Sequence, residues 1–227
     1  MNSENGEHMN GSGDTRYHWL VSTLLILAAL SAAGTVYAQP VTHTSYDSDK
    51  DFFKTTGHVV VNVKIDLLSQ IAGGFSAYRD WALFEINQAK NGQNYSIIFR
   101  DVKYETGGRG GLGLFRIYFD LDWPWPFGAK DKELDFAILM ATPNEHGGIS
   151  HLVIGLEKTG TLLKTFRLDI TAKPTDQGSR VDFVAKVKFN GLVDTFFSLA
   201  RFRQNIEYRV VKVILNLQKH AETQSTH

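Results

Sequence analysis

Leu192 to Ala221 read LVDTFFSLARFRQNIEYRVVKVILNLQKHA. Leu192, Phe196, Leu199, Phe202, Ile206, Val210, Val213 or Ile214, and Leu217 recur at steps of three and four. That is a helical period held over about 25 residues. Arg201, Arg203, Gln204, Glu207, Arg209 and Lys212 fall to the other face, so the helix is amphipathic and not a membrane span. An amphipathic helix of this length needs an apolar surface to lie on, and the sequence before it supplies one.

From Tyr95 to Phe189 alternating segments are separated by turn chemistry, with no helical period. They are Tyr95 to Tyr104, Leu112 to Trp123, Lys132 to Ala141, Ile149 to Lys158, Leu162 to Ala172 and Ser179 to Phe189. Short Gly-, Pro- and Asn-containing joints between them imply an antiparallel meander. Before the meander, Gly57 to Ile65 alternates Val59, Val61, Val63 and Ile65 on one face. Asp66 to Phe75 opens with a capping residue and carries Leu67, Leu68 and Ile71 at helical spacing. A second short helix is expected over Ala77 to Gln88, with Trp81, Phe84 and Ile86 inward. The fold class is therefore α+β, a seven-stranded antiparallel sheet covered by the long C-terminal helix.

The first 38 residues read as a separate unit. Trp19 to Ala33 has no charge, Arg16 precedes it, and Val36 and Ala38 satisfy the small-x-small rule for a cut after Ala38. An apolar core of about 15 residues suits a signal peptide better than a full span of about 20. The expectation is export to the periplasm or cell envelope; the alternative is an uncleaved membrane anchor. Residues 39–56, polar over Val41 to Lys54, read as a linker, and 57–221 as one domain.

The chain has 227 residues, 24 basic and 24 acidic side chains and no cysteine. Cleavage would remove Arg16 against Glu4, Glu7 and Asp14, leaving 189 residues and a charge of +2. Neither balance has the cationic surplus that a general nucleic-acid binder needs. The lack of cysteine excludes disulfides, thiolate zinc and iron–sulfur sites and a thiol nucleophile.

The order strand, helix, helix, six strands, long helix resembles the START-like (SRPBCC) helix-grip superfamily of lipid-transfer and polyketide cyclase/dehydrase-like proteins. The resemblance spans roughly 55 to 220. Phe75-Ser76-Ala77-Tyr78-Arg79-Asp80-Trp81 is similar to the family's D-F-x-x-Y-P-x-W segment, with Arg79 where proline is usual and no aspartate before Phe75. Gln177-Gly178-Ser179-Arg180-Val181 is similar to its G-T-x-V turn. Leu68-Ser69-Gln70-Ile71 lacks the proline and tryptophan often found in the first helix. The resemblance implies an apolar ligand held between sheet and last helix: a lipid, sterol, hopanoid or aromatic polyketide.

Candidate ligand-binding residues are Trp81, Phe84, Phe99, Arg100, Phe119, Phe136, Phe196 and Phe202, with Phe197 beside them. Sequence does not separate pocket from core among them, since both are apolar. Arg100 or Arg116, turned inward, would meet a ligand head group. The alternative is a solvated sheet face with cross-strand ion pairs, because Arg116, Tyr118, Asp120 and Asp122 alternate with Phe115, Ile117, Phe119 and Leu121. Trp123-Pro124-Trp125-Pro126-Phe127 is a proline-stiffened aromatic loop. Trp123, Trp125 and Phe127 form either a lip at the cavity mouth, touching ligand or membrane surface, or a plug folded onto the sheet.

Gly107 to Gly113 lacks the Lys-Ser/Thr and following helix of a phosphate loop and reads as a hairpin. His146 and His151 match no metal spacing, and no nucleophile motif is present, so no catalytic residue, metal or cofactor is assigned. His58, Tyr78, Tyr95 and Tyr104 would be acid–base groups only in a cyclase. The sequence thus predicts an exported binder or carrier of a lipid-like molecule, with no chemistry and no nucleic-acid partner. The alternatives are a polyketide-cyclase-like enzyme and a structural module whose cavity its own side chains fill. Oligomeric state is left open.

Overall fold

The computed structural model describes residues 40–87, 96–123, 128–195 and 198–225. The chain divides into two units, residues 1–37 and residues 38–227. The second holds the described residues, and no helix among these is long and apolar enough to cross a membrane.

Eight strands form one antiparallel sheet: β1 (Val41–Asp47), β2 (Phe52–Val61), β3 (Ser96–Glu105), β4 (Leu114–Asp122), β5 (Ala129–Pro143), β6 (Ile149–Leu156), β7 (Leu163–Thr175) and β8 (Gly178–Phe189). Their order is β1-β2-β8-β7-β6-β5-β4-β3. Consecutive hairpins build β3 to β8, and the chain crosses once, from β2 to the far edge at β3. The crossing carries α1 (Ile65–Gly73), a single 3-10 turn (Phe75–Ala77) and α2 (Tyr78–Trp81). The expected seven strands become eight because the polar stretch read as a linker forms β1 and the start of β2. Its alternation is hidden, since only Thr44 of β1 is buried, where its hydroxyl meets that of Thr55 at 2.8 Å. A polar strand at a sheet edge also discourages pairing with other chains.

Two helix boundaries also differ from expectation. Asp66 sits in the first turn of α1 rather than capping it, where its charge still favours the amide end. The second helix stops at Trp81, and 82–87 are turns.

The C-terminal segment is α3 (Gly191–Asp194), α4 (Leu199–Phe202), a π turn (Arg203–Glu207) and α5 (Tyr208–Ser225). The helix expected from Leu192 therefore begins at Leu199, where the Ser198 hydroxyl accepts the Arg201 N–H at 3.3 Å. Thr42 and Thr44 of β1 donate to the Glu207 carboxylate, and Arg203 reaches the Thr44 carbonyl at 2.8 Å. The edge strand thereby anchors the π turn.

The helix packs on the sheet through two apolar clusters. Val59, Val61, Val181 and Phe183 of the sheet meet Leu68 and Ile71 of α1 and Ile214 and Ala221 of α5. Phe53, Phe189 and Phe202 belong to the larger one, where Phe53 stacks on Phe202 at 4.5 Å. Asn216 of α5 donates to the carbonyls of Ala82 (3.0 Å) and Phe84 (2.8 Å), fixing the helix to the crossover. Gly148 lets the β5–β6 turn touch α1, since a Cβ there would lie 2.5 Å from the Ser69 side chain.

Candidate functional site

The sheet and the C-terminal helix do not close completely on one another. Between them lies a cavity of about 210 Å³. Alternation along the strands supplies one wall: Phe99 and Val102 from β3, Phe115, Ile117 and Phe119 from β4, Phe136 from β5, and Leu168 and Ile170 from β7. Leu83 and Ile86 of the crossover supply a second wall, and Ile206, Val210 and Val213 of the helix a third. Such a wall suits an apolar molecule with few polar groups.

Among the described lining residues one is charged, Arg209 of α5. It is 93% buried, being 7% exposed. Its Nη1 donates to the Asn205 carbonyl and, at 3.2 Å, to the Asn205 side-chain oxygen. Its Nη2 donates to the Ile97 carbonyl of β3, and its guanidinium lies 5.2 Å from the Phe99 ring centre. The buried Nε has no hydrogen-bond partner among the described residues. Burial pushes this guanidinium down to about 10, against a smaller opposing effect of Tyr208, so it stays protonated near neutrality. Its charge suits the solvent face of an amphipathic helix. Its spacing, three after Ile206 and four before Val213, places it with the inward residues.

Phe99, Phe119 and Phe136 line the cavity. Trp81 and Phe202 are buried in the surrounding core, Trp81 at 6.0 Å from the His220 ring, but do not line it. Phe84 is 48% exposed, with the Lys219 ammonium over its ring. Arg100 also lies outside the cavity. A bulge between Phe99 and Asp101 interrupts alternation there, and Arg100 pairs with Asp120 and with Asp131 at 3.5 Å. Arg116 faces outward too, its Nε and Nη2 donating to both oxygens of Asp135 across β4 and β5 at 2.8 and 3.0 Å. The cross-strand ion-pair reading thus describes both arginines. Trp123 is buried in the core cluster. Trp125, Phe127, Phe196, Phe197 and Tyr95 lie outside the described residues.

Tyr78 lines the cavity, but its hydroxyl is spent on the Ala72 carbonyl at 2.7 Å, and burial raises it above its ordinary value. Tyr104 donates to the Leu112 carbonyl at 3.1 Å. His151 meets Asp169 at 2.7 Å across β6 and β7. No group of metal-ligating side chains occurs among the described residues.

No family model matches the chain, and no curated protein matches it. Among solved structures it is similar to the Zhui aromatase/cyclase from a Streptomyces species. Identity there is 11%, covering 82% of this chain and 95% of that one, with a TM-score of 0.49. It is also similar to a STAR-related lipid transfer protein from Xanthomonas axonopodis, at 11% identity, 81% and 93% coverage and TM-score 0.47. A third is norcoclaurine synthase from Thalictrum flavum, at 12% identity, 83% and 99% coverage and TM-score 0.43. With its single antiparallel sheet, its long C-terminal helix and the apolar cavity between them, the chain has the START-like helix-grip fold.

Proposed function

We propose that this protein binds and carries a lipid-like apolar molecule in the cavity between sheet and C-terminal helix. The observation that carries this reading is the cavity itself: a space walled by aliphatic and aromatic side chains, with one charged residue among the described lining residues. A structural module would gain by filling that space, because cavities cost stability. A cyclase would need a positioned acid or base. The lining hydroxyl, Tyr78, is held by a backbone carbonyl instead. The binder therefore stands ahead of the enzyme.

The proposal includes location. The uncharged run Trp19 to Ala33 and the small residues at 36 and 38 support export, with the working chain starting at Gln39 in the cell envelope. Trp123 is taken up by the core, so contact with a membrane surface, as a route for ligand uptake, falls in this reading to Trp125 and Phe127.

Native mass spectrometry of the protein purified from its expressing cells tests the binder. The expected result is an additional mass that is extracted by organic solvent and absent from Ile117→Trp, whose indole would occupy the cavity from β4. A wild-type protein that carries no added mass and takes up no apolar probe would overturn it. N-terminal sequencing of the cell-envelope fraction tests export, with Gln39 expected as the first residue.

A further inference from the structure

We propose that the part of the ligand held in the cavity is a compact hydrocarbon of about ten carbons with no hydrogen-bonding atom, and that the site selects it by rejecting oxygen and nitrogen. The inference rests on the binding reading above and names the class of molecule that the same site takes.

The wall decides the chemistry. Among the described lining residues, all but Tyr78 and Arg209 have hydrocarbon side chains. Neither exception offers a polar atom to a guest. The Tyr78 hydroxyl donates to the Ala72 carbonyl at 2.7 Å. The Arg209 nitrogens are turned away from the cavity: Nη1 donates to both oxygens of Asn205, Nη2 donates to the Ile97 carbonyl, and Nε is sealed in the packing. What Arg209 adds to the wall is its methylene stem. Behind the side chains, the backbone of β4, β5 and β7 is paired within the sheet. The wall therefore presents almost no nitrogen or oxygen to the space it surrounds.

A hydroxyl, carbonyl or charge carried into this space gives up its bonds to water and meets no replacement, which weakens binding about tenfold or more for each such group. Carbon and hydrogen lose nothing by the same transfer. Of the ligand classes that the fold resemblance implies, aromatic polyketides carry carbonyl and hydroxyl oxygens around their rings, so they are the ones this wall rejects first. A head group, where the ligand has one, stays outside the cavity.

Size follows from volume. An apolar cavity of about 150 Å³ walled by Leu, Ile and Phe takes up benzene. This cavity has the same kind of wall and a volume of about 210 Å³. A second fused ring is the next step in size, which selects naphthalene as the probe.

Calorimetric titration of the full chain with naphthalene, 2-naphthol and 2,6-dihydroxynaphthalene keeps the carbon frame constant and adds oxygen. The hydroxyls of the diol stand at opposite ends, so no orientation takes both away from the wall. Wild type should bind naphthalene about tenfold or more tighter than the diol, with the naphthol between them. Val187→Thr exchanges a buried lining methyl group of β8 for a hydroxyl of similar size, and should narrow that gap. Ile117→Trp should bind none of the three. Equal or tighter binding of the diol by wild type overturns the proposal and leaves the binder intact. A gap that is unchanged in Val187→Thr also overturns it, because the wall then does not set the preference. Binding of none of the three by wild type, or naphthalene bound equally by Ile117→Trp, overturns both readings. If Val187→Thr does not fold, Val102→Thr of β3, which also lines the cavity, replaces it; if neither folds, the wild-type order decides alone.

Discussion

Phe202 and Phe84 were legible in the sequence as two aromatics of the same kind, and the structure gives them opposite surroundings. Phe202 is fully buried, its ring stacked on Phe53 with an interplanar angle of 6° and edge-on to Phe189 at 6.3 Å. Truncation leaves a hole between helix and sheet, so Phe202→Ala should cost about 3–5 kcal/mol in urea unfolding. Phe84 stands half exposed under Lys219, whose ammonium lies 4.4 Å from the ring centre. Phe84→Ala should cost less than about 1 kcal/mol, the scale of an exposed cation–π contact. Equal losses in the two variants would refute this division. Spacing from Trp81 turns Phe84 inward only if 82–87 are helical, and they are turns; Arg209, whose charge suits the solvent face, has the spacing of an inward residue and lines the cavity.

At the scale of elements, bulges decide what alternation leaves open. β4 pairs regularly with β3 and β5 until Phe119, where the register to β5 shifts. The shift brings the Asp120 carboxylate under the Asp131 N–H at 2.8 Å and beside Arg100, and leaves Asp120 only 8% exposed. The Asp131 N–H, and then Arg100, hold this carboxyl below its ordinary value although burial opposes them. A carboxyl lowered in the folded state stabilises at pH values above its unfolded value, about 3.9, and the contribution disappears as pH falls through the folded value. Asp120→Asn should therefore lower the urea midpoint at pH 7 and leave it close to wild type at pH 2. A gap of the same size at both pH values would show that the charge is not what stabilises the bulge. The same scale explains what the sequence showed of the fold. Strands β3 to β8 announce themselves as apolar-rich runs separated by turn residues, and α5 by the helical period of its apolar side chains. β1 does not, because an edge strand whose single buried residue is Thr44 carries no apolar stripe.

At the scale of the molecule, a sheet and a helix that could have met leave a gap. The large side chains of the sheet go to its rim and walls: Phe53 and Phe189 pack on Phe202, and Tyr78 stacks on Phe115 at 4.9 Å. Sequence singles out Phe119 and Phe202 alike but does not sort lining from core, because Phe119 in the wall and Phe202 in the core differ in position and not in chemistry. An empty apolar space of this size costs on the order of a few kcal/mol relative to close packing. A ligand that fills it returns contacts the protein lacks, and does so only in the folded state. Stability must then rise with ligand concentration by mass action, by about 2.7 kcal/mol at a hundred times the dissociation constant. Dodecanol, an uncharged apolar probe, isolates this contribution. Its addition should raise the thermal midpoint of wild type steadily with concentration and leave that of Ile117→Trp unmoved. The burial should also give a negative heat-capacity change on binding. A midpoint that shifts equally in both proteins would place the bound molecule on the surface, and the gap between sheet and helix would then have no part in binding.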